Sequence, residues 1–206
     1  MTAVVHGGIV HIVDDDAAIR DALAWLLQSR GVEARAFESA EAFLAAWAPD
    51  MAGCLLLDIR MEGMSGLDLF QRLGELGSTL PVIFLTGHGD VPMAVTALKQ
   101  GARDFVEKPF NDNELVDRII AVLAWDAAQR EARADADSVS ARIGSLSERE
   151  RQVMDLVLAG KLNKVIADEL GISMRTVEVH RAHVFEKMGV RTAVDLARLL
   201  ASGRPA

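Results

Sequence analysis

The sequence predicts two domains of different class: an α/β domain with a doubly wound, five-stranded parallel sheet, followed by an all-α domain of four short helices. Up to residue 125, short and continuously apolar runs alternate with amphipathic stretches of helical period. Beyond residue 145 the strand signals are gone, and a helix, a short glycine turn and a second helix follow one another. The first pattern is typical of a parallel sheet covered by helices, and the second of an all-α domain.

Four apolar runs, at residues 9–13, 54–57, 82–85 and 104–106, are the candidate strands. They are too continuously apolar for strands with one solvated face, which favours burial in a parallel sheet. The polar residues that close these runs are Asp14 with Asp15, Asp58, Thr86, and Lys108 with Pro109. Because ligands gather at the carboxyl ends of parallel strands, we expect three carboxylates, a hydroxyl and an ammonium in one crevice.

The residue types at these strand ends suit phosphoryl chemistry. Mg²⁺ prefers oxygen ligands, and Asp14, Asp15 and Asp58 supply three carboxylates. A carboxylate such as Asp58 also accepts a phosphoryl group as a nucleophile, and catalysis of that transfer comes mainly from positioning and charge neutralisation. The Lys108 ammonium is suited to bind one phosphoryl oxygen, and the Thr86 hydroxyl to donate a hydrogen bond to another. Thr86 is therefore a candidate sensor of the phosphoryl group.

At these positions residues 5–125 closely resemble the receiver domain of two-component response regulators, which has a flavodoxin-like fold. The resemblance implies that Asp58 is the phosphoacceptor and receives its phosphoryl group from a sensor histidine kinase. It implies a Mg²⁺ site formed by Asp14, Asp15, Asp58 and the main-chain carbonyl of Arg60. It also implies phosphoryl-binding and switch roles for Thr86, Phe105, Lys108 and Pro109, with a cis Lys108-Pro109 peptide bond.

Residues 86–92 and 107–110 most resemble the FixJ branch of this family. One departure lies in the loop after the phosphoacceptor, where the usual Met-Pro-Gly-Met is Met-Glu-Gly-Met, with Glu62 in place of Pro. Loss of Pro should loosen this turn, and a fourth acid near the pocket either strengthens the attraction for a metal or repels a phosphodonor. In the family the positions of Arg60 and His88 influence the lifetime of the phosphoryl group. His88 is equally consistent with a solvated loop histidine.

Length and composition fit two soluble globular domains. The chain has 206 residues, of which 50% are hydrophobic and 25% charged. No apolar run approaches the length of a membrane span, and residues 1–8 lack the pattern of a signal peptide, so we expect a cytoplasmic protein without membrane contact. The single Cys54 lies in an apolar run and is expected to pack as a small hydrophobic side chain rather than to form a disulfide.

Charge is distributed unevenly along the chain, whose net charge is −8. Residues 1–125 carry a net charge of −9, residues 126–144 of −1, and residues 145–206 of +2. Long-range attraction of the whole molecule to a nucleic acid is therefore weak. Binding to DNA would depend on a local cationic face and on dimerisation.

The first domain is predicted to end at residue 125. A helix opens with Asn111 as its N-cap and Glu114 completing a capping box. Residues 126–144 are rich in Ala and in alternating charge, which favours an exposed or coiled-coil helical linker over a disordered tether. The second domain then covers residues 145–206.

The second domain begins with a capping box from Ser147 to Glu150, and Gly160 is placed to end the first helix. A second helix is predicted around residues 164–170, a third over 174–188 with Ser173 as its N-cap, and a fourth from about residue 192. This succession predicts a helix-turn-helix. The apolar residues assigned to its core are Val165, Ile166, Leu170, Val177 and Val184.

Ordered matches at residues 146–150, 163–167, 170–173, 175–181 and 187–190 make residues 145–203 closely resemble a LuxR-type DNA-binding domain. The resemblance implies that the third helix enters the major groove of a double-stranded DNA operator. Candidates to face base edges or the nearby backbone are Glu178, Val179, Arg181 and Ala182, and candidates to contact phosphates are Asn163, Lys164, Arg175, Thr176 and His180. Glu178 either accepts from a cytosine amino group or holds Arg181 in place, and we favour the second.

Together these patterns predict a transcriptional regulator, not an enzyme, that is controlled by phosphorylation of Asp58. We expect a monomer that forms a homodimer when phosphorylated, through the surface of residues 91–105, and that acts with RNA polymerase. Two alternatives stay open. One is a metal-dependent phosphatase with Asp58 as nucleophile, which is disfavoured because Arg60 stands where the D-x-D pattern has its second acid. The other is a regulator that binds DNA without phosphorylation.

Overall fold

The structure is a computed structural model, and it describes residues 8–87 and 91–202. The chain divides into two compact units, Met1–Gln129 and Arg130–Ala206. The strands are β1 Ile9–Val13, β2 Ala34–Phe37, β3 Gly53–Asp58, β4 Val82–Thr86 and β5 Asp104–Glu107. The helices are α1 Ala17–Ser29, α2 Ala40–Ala46, α3 Gly66–Glu75, α4 Val91–Lys99, α5 Asp112–Gly144, α6 Glu148–Leu158, α7 Asn163–Leu170, α8 Met174–Met188 and α9 Ala193–Ser202.

The five strands form one parallel sheet in the order β2-β1-β3-β4-β5. The order reverses direction at β1, which produces the doubly wound topology predicted from the sequence. The prediction of an α/β domain followed by an all-α domain is therefore confirmed. Because all strands point the same way, β1, β3, β4 and β5 present their carboxyl ends at one edge of the sheet, where the predicted site residues lie.

Side chains of the central strands alternate between two hydrophobic cores, as the two-residue period of a strand requires. From β3, Cys54 and Leu56 enter the core beneath α1 and α5, whereas Leu55 and Leu57 enter the core beneath α2, α3 and α4. Every residue of β3 is buried, including Cys54. This two-sided burial explains the continuous apolar runs, and it fixes Asp58 at the end of a strand that is covered on both faces.

Helix starts in the first unit follow the capping preferences of their sequences. The Asp16 side chain caps α1 by accepting the Ala18 N–H at 2.8 Å. The Asn111 side chain accepts the N–H groups of Asn113 and Glu114, which confirms it as an N-cap. The second half of the predicted capping box is not formed, because the Glu114 carboxylate instead accepts hydrogen bonds from Arg118 one turn later.

The second unit contains α6 to α9, with the caps predicted for Ser147 and Ser173. Gly171 ends α7 in the left-handed conformation, with φ of 64°, and so allows the tight turn into α8. Ile166, Val177 and Val184 are buried and Leu170 is partly buried, as predicted. The prediction for Val165 is wrong, because its side chain is 41% exposed. The buried face of α7 is formed by Ile166 and Ala167, and the Val165 side chain lies outside that face.

Residues 126–144, predicted to be a helical linker, are helical within α5. Their role as a linker between domains stays a prediction. In the residues that the structure describes, no helix is both long and apolar enough to cross a membrane.

Candidate functional site

Lys108 joins two of the strand-end acids at the carboxyl edge of the sheet. Its Nζ donates to Asp14 Oδ2 and to Asp58 Oδ1, each at 2.9 Å. Asp14 is 1% exposed and Asp58 8% exposed, so both carboxylates are nearly withdrawn from solvent. Asp14 also accepts the Asp16 N–H through Oδ1 at 2.9 Å, and this bond orients it where β1 turns into α1. The predicted crevice therefore has an ammonium shared between two buried carboxylates.

Asp15 occupies a different environment from its neighbour. Its side chain is exposed, and its Oδ2 accepts the main-chain N–H of Glu62 at 2.8 Å. Glu62 belongs to the loop between β3 and α3, so this bond links the loop after the predicted phosphoacceptor to the end of β1. The main-chain N–H of Met64 in the same loop donates to Glu41 Oε1 of α2 at 3.1 Å.

The combined effect of burial and the neighbouring charges raises the pKa of both Asp58 and Lys108. Burial raises the pKa of the Asp58 carboxyl above its ordinary value; the hydrogen bond and charge of Lys108 lower it, and the charges of Asp14 and Asp15 raise it. Burial by itself lowers the pKa of the Lys108 ammonium, but its bonds to Asp58 and Asp14 raise it above the ordinary value. Lys108 therefore stays charged and partly offsets the carboxylates.

The acid cluster fits a hard divalent cation. One carboxylate oxygen each from Asp14, Asp15 and Asp58 lies within 4.8 Å of the others. Carboxylate oxygens are the ligands that Mg²⁺ prefers, and the exposed Asp15 leaves its side of the cluster accessible to the waters that the ion keeps. Arg60, two residues beyond Asp58, is exposed in the following loop, and the role of its carbonyl as a further ligand stays a prediction.

The remaining predicted receiver residues surround the same edge. Thr86 is fully buried, and its Oγ1 lies 3.5 Å from the carbonyl oxygen of Val106, at the limit of a hydrogen bond. Phe105 is partly buried against the core beneath α2, α3 and α4. The Lys108-Pro109 peptide bond is cis, as the resemblance implied. His88 lies outside the described residues.

Sequence reasoning missed the main-chain donors of the β3–α3 loop. The available signal was Glu62 itself, because a residue other than Pro brings an N–H that Pro lacks. Arg20 was also missed: its Nη1 donates to the carbonyl oxygen of Asp14 at 2.8 Å. A surface arginine in a helix carries no sequence pattern that distinguishes such a bond.

The DNA-contact candidates lie on α7 and α8 of the second unit. Asn163 and Arg181 are joined to each other, since Arg181 Nη1 donates to Asn163 Oδ1 at 2.5 Å. Arg181 also lies over the Phe185 ring, with the guanidinium carbon 5.6 Å from the ring centroid. The described residues Glu178 and Arg181 form no hydrogen bond or ion pair with each other, and Arg181 is joined to Asn163 instead. The role of Glu178 stays a prediction.

The other candidates differ in exposure. Lys164, Arg175, Glu178, Val179 and Ala182 are exposed, and Thr176 and His180 are partly buried. The Thr176 hydroxyl lies 2.8 Å from the Ser173 hydroxyl at the start of α8, so it takes part in the cap of that helix. The exposed set puts two cations, one carboxylate and two apolar side chains on the predicted recognition helix and the helix before it.

Two buried acids joined by Lys108 at the carboxyl edge of a doubly wound sheet, in one chain with a helix-turn-helix, are the arrangement expected of a receiver-like domain that precedes a DNA-binding domain. Comparison with family models gives the same division: residues 10–120 match the response regulator receiver domain, and residues 144–200 match the bacterial regulatory proteins of the luxR family.

Relatives match along nearly the whole chain. The C4-dicarboxylate transport transcriptional regulatory protein DctR of Rhodobacter capsulatus is 54% identical over 194 residues, covering 92% of this chain and 98% of the relative. The transcriptional regulatory protein FixJ of Azorhizobium caulinodans is 47% identical over 199 residues, covering 96% of this chain and 94% of the relative.

Solved structures of response regulators also match along nearly the whole chain. The response regulator StyR superposes with a TM-score of 0.89 at 42% identity, covering 94% of this chain and 98% of that chain. Full-length FixJ from B. japonicum superposes with a TM-score of 0.61 at 44% identity, covering 96% and 97%. The chain belongs to the two-component response regulators of the FixJ/NarL family, in which a receiver domain precedes a LuxR-type DNA-binding domain.

Proposed function

We propose that this phosphorylation-regulated transcriptional regulator accepts its phosphoryl group on Asp58 from a phosphohistidine of a sensor histidine kinase. A carboxylate oxygen of Asp58 attacks the phosphorus atom, the P–N bond breaks, and the electron pair leaves with the kinase imidazole, so that an acyl phosphate forms on Asp58. The observation that carries the proposal is the Lys108 Nζ, 2.9 Å from Asp58 Oδ1. A fixed cation beside the nucleophile offsets the negative charge that arrives with the phosphoryl group.

Asp14, Asp15 and Asp58 are the residues that would hold Mg²⁺, with the Arg60 carbonyl as a further ligand. When bound, the ion supplies positive charge that neutralises phosphoryl oxygens. Lys108 complements this charge, because its two hydrogen bonds hold Asp14 and Asp58 in register with each other. Near-complete burial of Asp58 limits the access of water and so would slow hydrolysis of the acyl phosphate.

Phosphorylation would be sensed by Thr86. Its hydroxyl makes only a weak contact of 3.5 Å with the Val106 carbonyl oxygen, so the hydroxyl gives up little when it turns to donate to a phosphoryl oxygen. Phe105, which is only partly buried, would then move into the space that Thr86 vacates. Because Phe105 lies on β5 next to α4, the movement would reshape the surface of residues 91–105 and promote a homodimer there.

Dimerisation would bring two α8 helices to two half-sites of a DNA operator. Tethering two helix-turn-helix units raises affinity through effective concentration, without any new base contact. The candidates for contact with phosphates are Asn163, Lys164, Arg175, Thr176 and His180, and those nearer the bases are Glu178, Val179, Arg181 and Ala182. Bound in this way, the protein would act on RNA polymerase, and the unphosphorylated protein would be a monomer.

The experiment compares wild type with Asp58→Asn and with Asp50→Asn as the control, since Asp50 is an exposed acid before the amino end of β3, the end opposite Asp58. Each protein is treated with acetyl phosphate and magnesium, and its mass is followed by sedimentation. Binding is then measured to double-stranded DNA that the wild type selects from a random pool. Wild type and Asp50→Asn should dimerise and bind more tightly after treatment, and Asp58→Asn should do neither. A response of Asp58→Asn equal to that of wild type would refute the proposal.

A further inference from the structure

Glu62 lies in a position where the family pattern has Pro, and the difference reaches the predicted metal pocket through the main chain. The Glu62 N–H donates to Asp15 Oδ2 at 2.8 Å. Pro has no N–H, so a chain with Pro at this position has no such donor. We propose that the main-chain N–H of Glu62 is a positioning group that holds the Asp15 carboxylate in the pocket before a divalent cation arrives. The inference rests on the proposed Mg²⁺ site and adds one of its determinants.

Asp15 needs such a partner more than the other two acids do. Asp14 and Asp58 are buried and share the Lys108 ammonium, whereas Asp15 is exposed and the described hydrogen bonds of Lys108 do not extend to it. Three carboxylates whose oxygens lie within 4.8 Å repel one another, and an exposed side chain relieves that repulsion by turning toward solvent. A hydrogen bond from an uncharged donor opposes this movement and leaves lone pairs on the carboxylate for coordination.

The donor is itself held in place by the loop around it. Gly63 has φ of 79°, the left-handed conformation that makes the turn directly after Glu62. The Met64 N–H is fixed by Glu41 at 3.1 Å, and Ser65 starts α3 with a complete capping box. The Glu62 N–H is therefore presented by a loop with its own supports, so it can orient Asp15 rather than follow it.

Hydrogen-bond partners of metal-ligating carboxylates tune affinity, and their loss typically weakens metal binding by about tenfold or more. Only the main chain of Glu62 takes part, since the bond runs from its N–H. The side chain is exposed and would act only as a screened charge. Main-chain and side-chain effects at this position can therefore be separated by substitution.

The first arm measures Mg²⁺ binding to the full chain by calorimetry, using Glu62→Pro to remove the N–H and Glu62→Gln to keep it while removing the charge. Relative to wild type, Glu62→Pro should raise the Kd for Mg²⁺ about tenfold, and Glu62→Gln should change it by less than about twofold. Wild-type affinity in Glu62→Pro would overturn the proposal. An equal loss in both variants would also overturn it, because the side-chain charge would then be responsible.

The second arm needs neither a metal nor a proline. Hydrogen exchange of the Glu62 amide is measured in metal-free wild type and in Asp15→Ala, with the Met64 amide, whose partner is Glu41, as an internal control. Protection at Glu62 should be lost in the variant while protection at Met64 persists. Unchanged protection at Glu62 would overturn the proposal. If the wild type itself bound no Mg²⁺, the predicted metal site would fail, and this second arm alone would decide the role of Glu62.

Discussion

The substitution Asp58→Asn should make the metal-free protein more stable, although it removes the predicted phosphoacceptor. The reason lies in the balance of charges around Asp58, whose carboxyl has a pKa raised chiefly by burial. A raised pKa in the folded state means that folding disfavours the ionised carboxylate at neutral pH. Asn has nearly the same shape, keeps an oxygen that accepts from Lys108, and carries no charge to be desolvated.

The distances indicate how large the effect should be. With an effective dielectric constant of about 20, the Lys108 ammonium at 2.9 Å attracts Asp58 by about 6 kcal/mol. The buried Asp14 carboxylate, within 4.8 Å, repels it by at least about 3 kcal/mol, and the exposed Asp15 by about 1 kcal/mol. Desolvation of the buried carboxylate costs several kcal/mol more, so the sum is a small net destabilisation. We expect about 1 kcal/mol in favour of Asp58→Asn, or about 2–4 °C in midpoint for a chain of this length.

The assay is thermal unfolding in the presence of a chelator, followed by tryptophan fluorescence. All three Trp residues lie in the first unit, at positions 25, 47 and 125, so the signal reports the domain that carries Asp58. The difference in unfolding midpoint between Asp58→Asn and wild type should be largest at neutral pH. It should narrow as pH falls through the raised folded-state pKa of Asp58 toward 3.8, the ordinary value, below which this carboxyl is protonated in both the folded and the unfolded chain. With Mg²⁺ the wild type should gain more stability than the variant. An Asp58→Asn protein that melts at or below the wild-type temperature in metal-free buffer would refute this reasoning.

Three further predictions concern buried polar groups outside the pocket. Burial lowers the pKa of His11 below 6.5, so the stability of the fold should decrease as pH drops below about that value, where the unfolded chain takes up a proton that the folded chain does not. The unfolding midpoint of His11→Gln, followed by tryptophan fluorescence, should depend less on pH than that of wild type. Asp126→Ala should lower the free energy of unfolding by about 1–3 kcal/mol in urea, because the buried carboxylate accepts the Gly53 N–H at 3.0 Å and Ala leaves that N–H without an acceptor. Asp126→Asn is the matched control, and it should lose less because its side-chain oxygen still accepts this bond. Glu150→Ala, which removes a capping box, should cost about 1–2 kcal/mol by calorimetry, whereas the exposed Glu148→Ala should cost under about 0.5 kcal/mol.

The Glu150 carboxylate also has a pH signature. Hydrogen bonds from Lys187 and from the Ser147 N–H lower its pKa to about 2. A lowered pKa stabilises the fold above the ordinary value near 4.5, and that contribution is lost as pH falls from 4.5 toward 2.

The central strands could be predicted from sequence nearly to the residue because each is buried on both faces. Residues 82–85 were predicted and β4 is Val82–Thr86; residues 54–57 were predicted and β3 is Gly53–Asp58. The exception is β2, for which no apolar run could be given. It is a four-residue edge strand whose two middle residues, Arg35 and Ala36, are exposed, so its sequence has little of the pattern that marks a strand.

The candidate site also has some features that the sequence could predict and others that it could not. The acids and Lys108 could be predicted to converge because the carboxyl ends of parallel strands share one edge. The bond between Arg181 and Asn163 could not be predicted, because it depends on how α7 and α8 cross. The sequence analysis favoured Glu178, on the same helix, as the partner of Arg181. Glu62 in place of Pro signals that a main-chain N–H is present, but its bond to Asp15 could not be predicted because it depends on where the β3–α3 loop lies relative to the end of β1. The exposure of Val165 could not be predicted because α7 has only eight residues, about two turns, which are too few to show which of its faces is apolar.

The most direct test of the account is the site of phosphoryl attachment. The full chain is incubated with acetyl phosphate and magnesium, and the modified residue is located by mass spectrometry after the acyl phosphate has been reduced with borohydride. One phosphoryl group should be added to the intact wild type, the reduced residue should be at position 58, and Asp58→Asn should remain unmodified. An unchanged mass in the wild type, or a modification that maps elsewhere and persists in Asp58→Asn, would contradict the account.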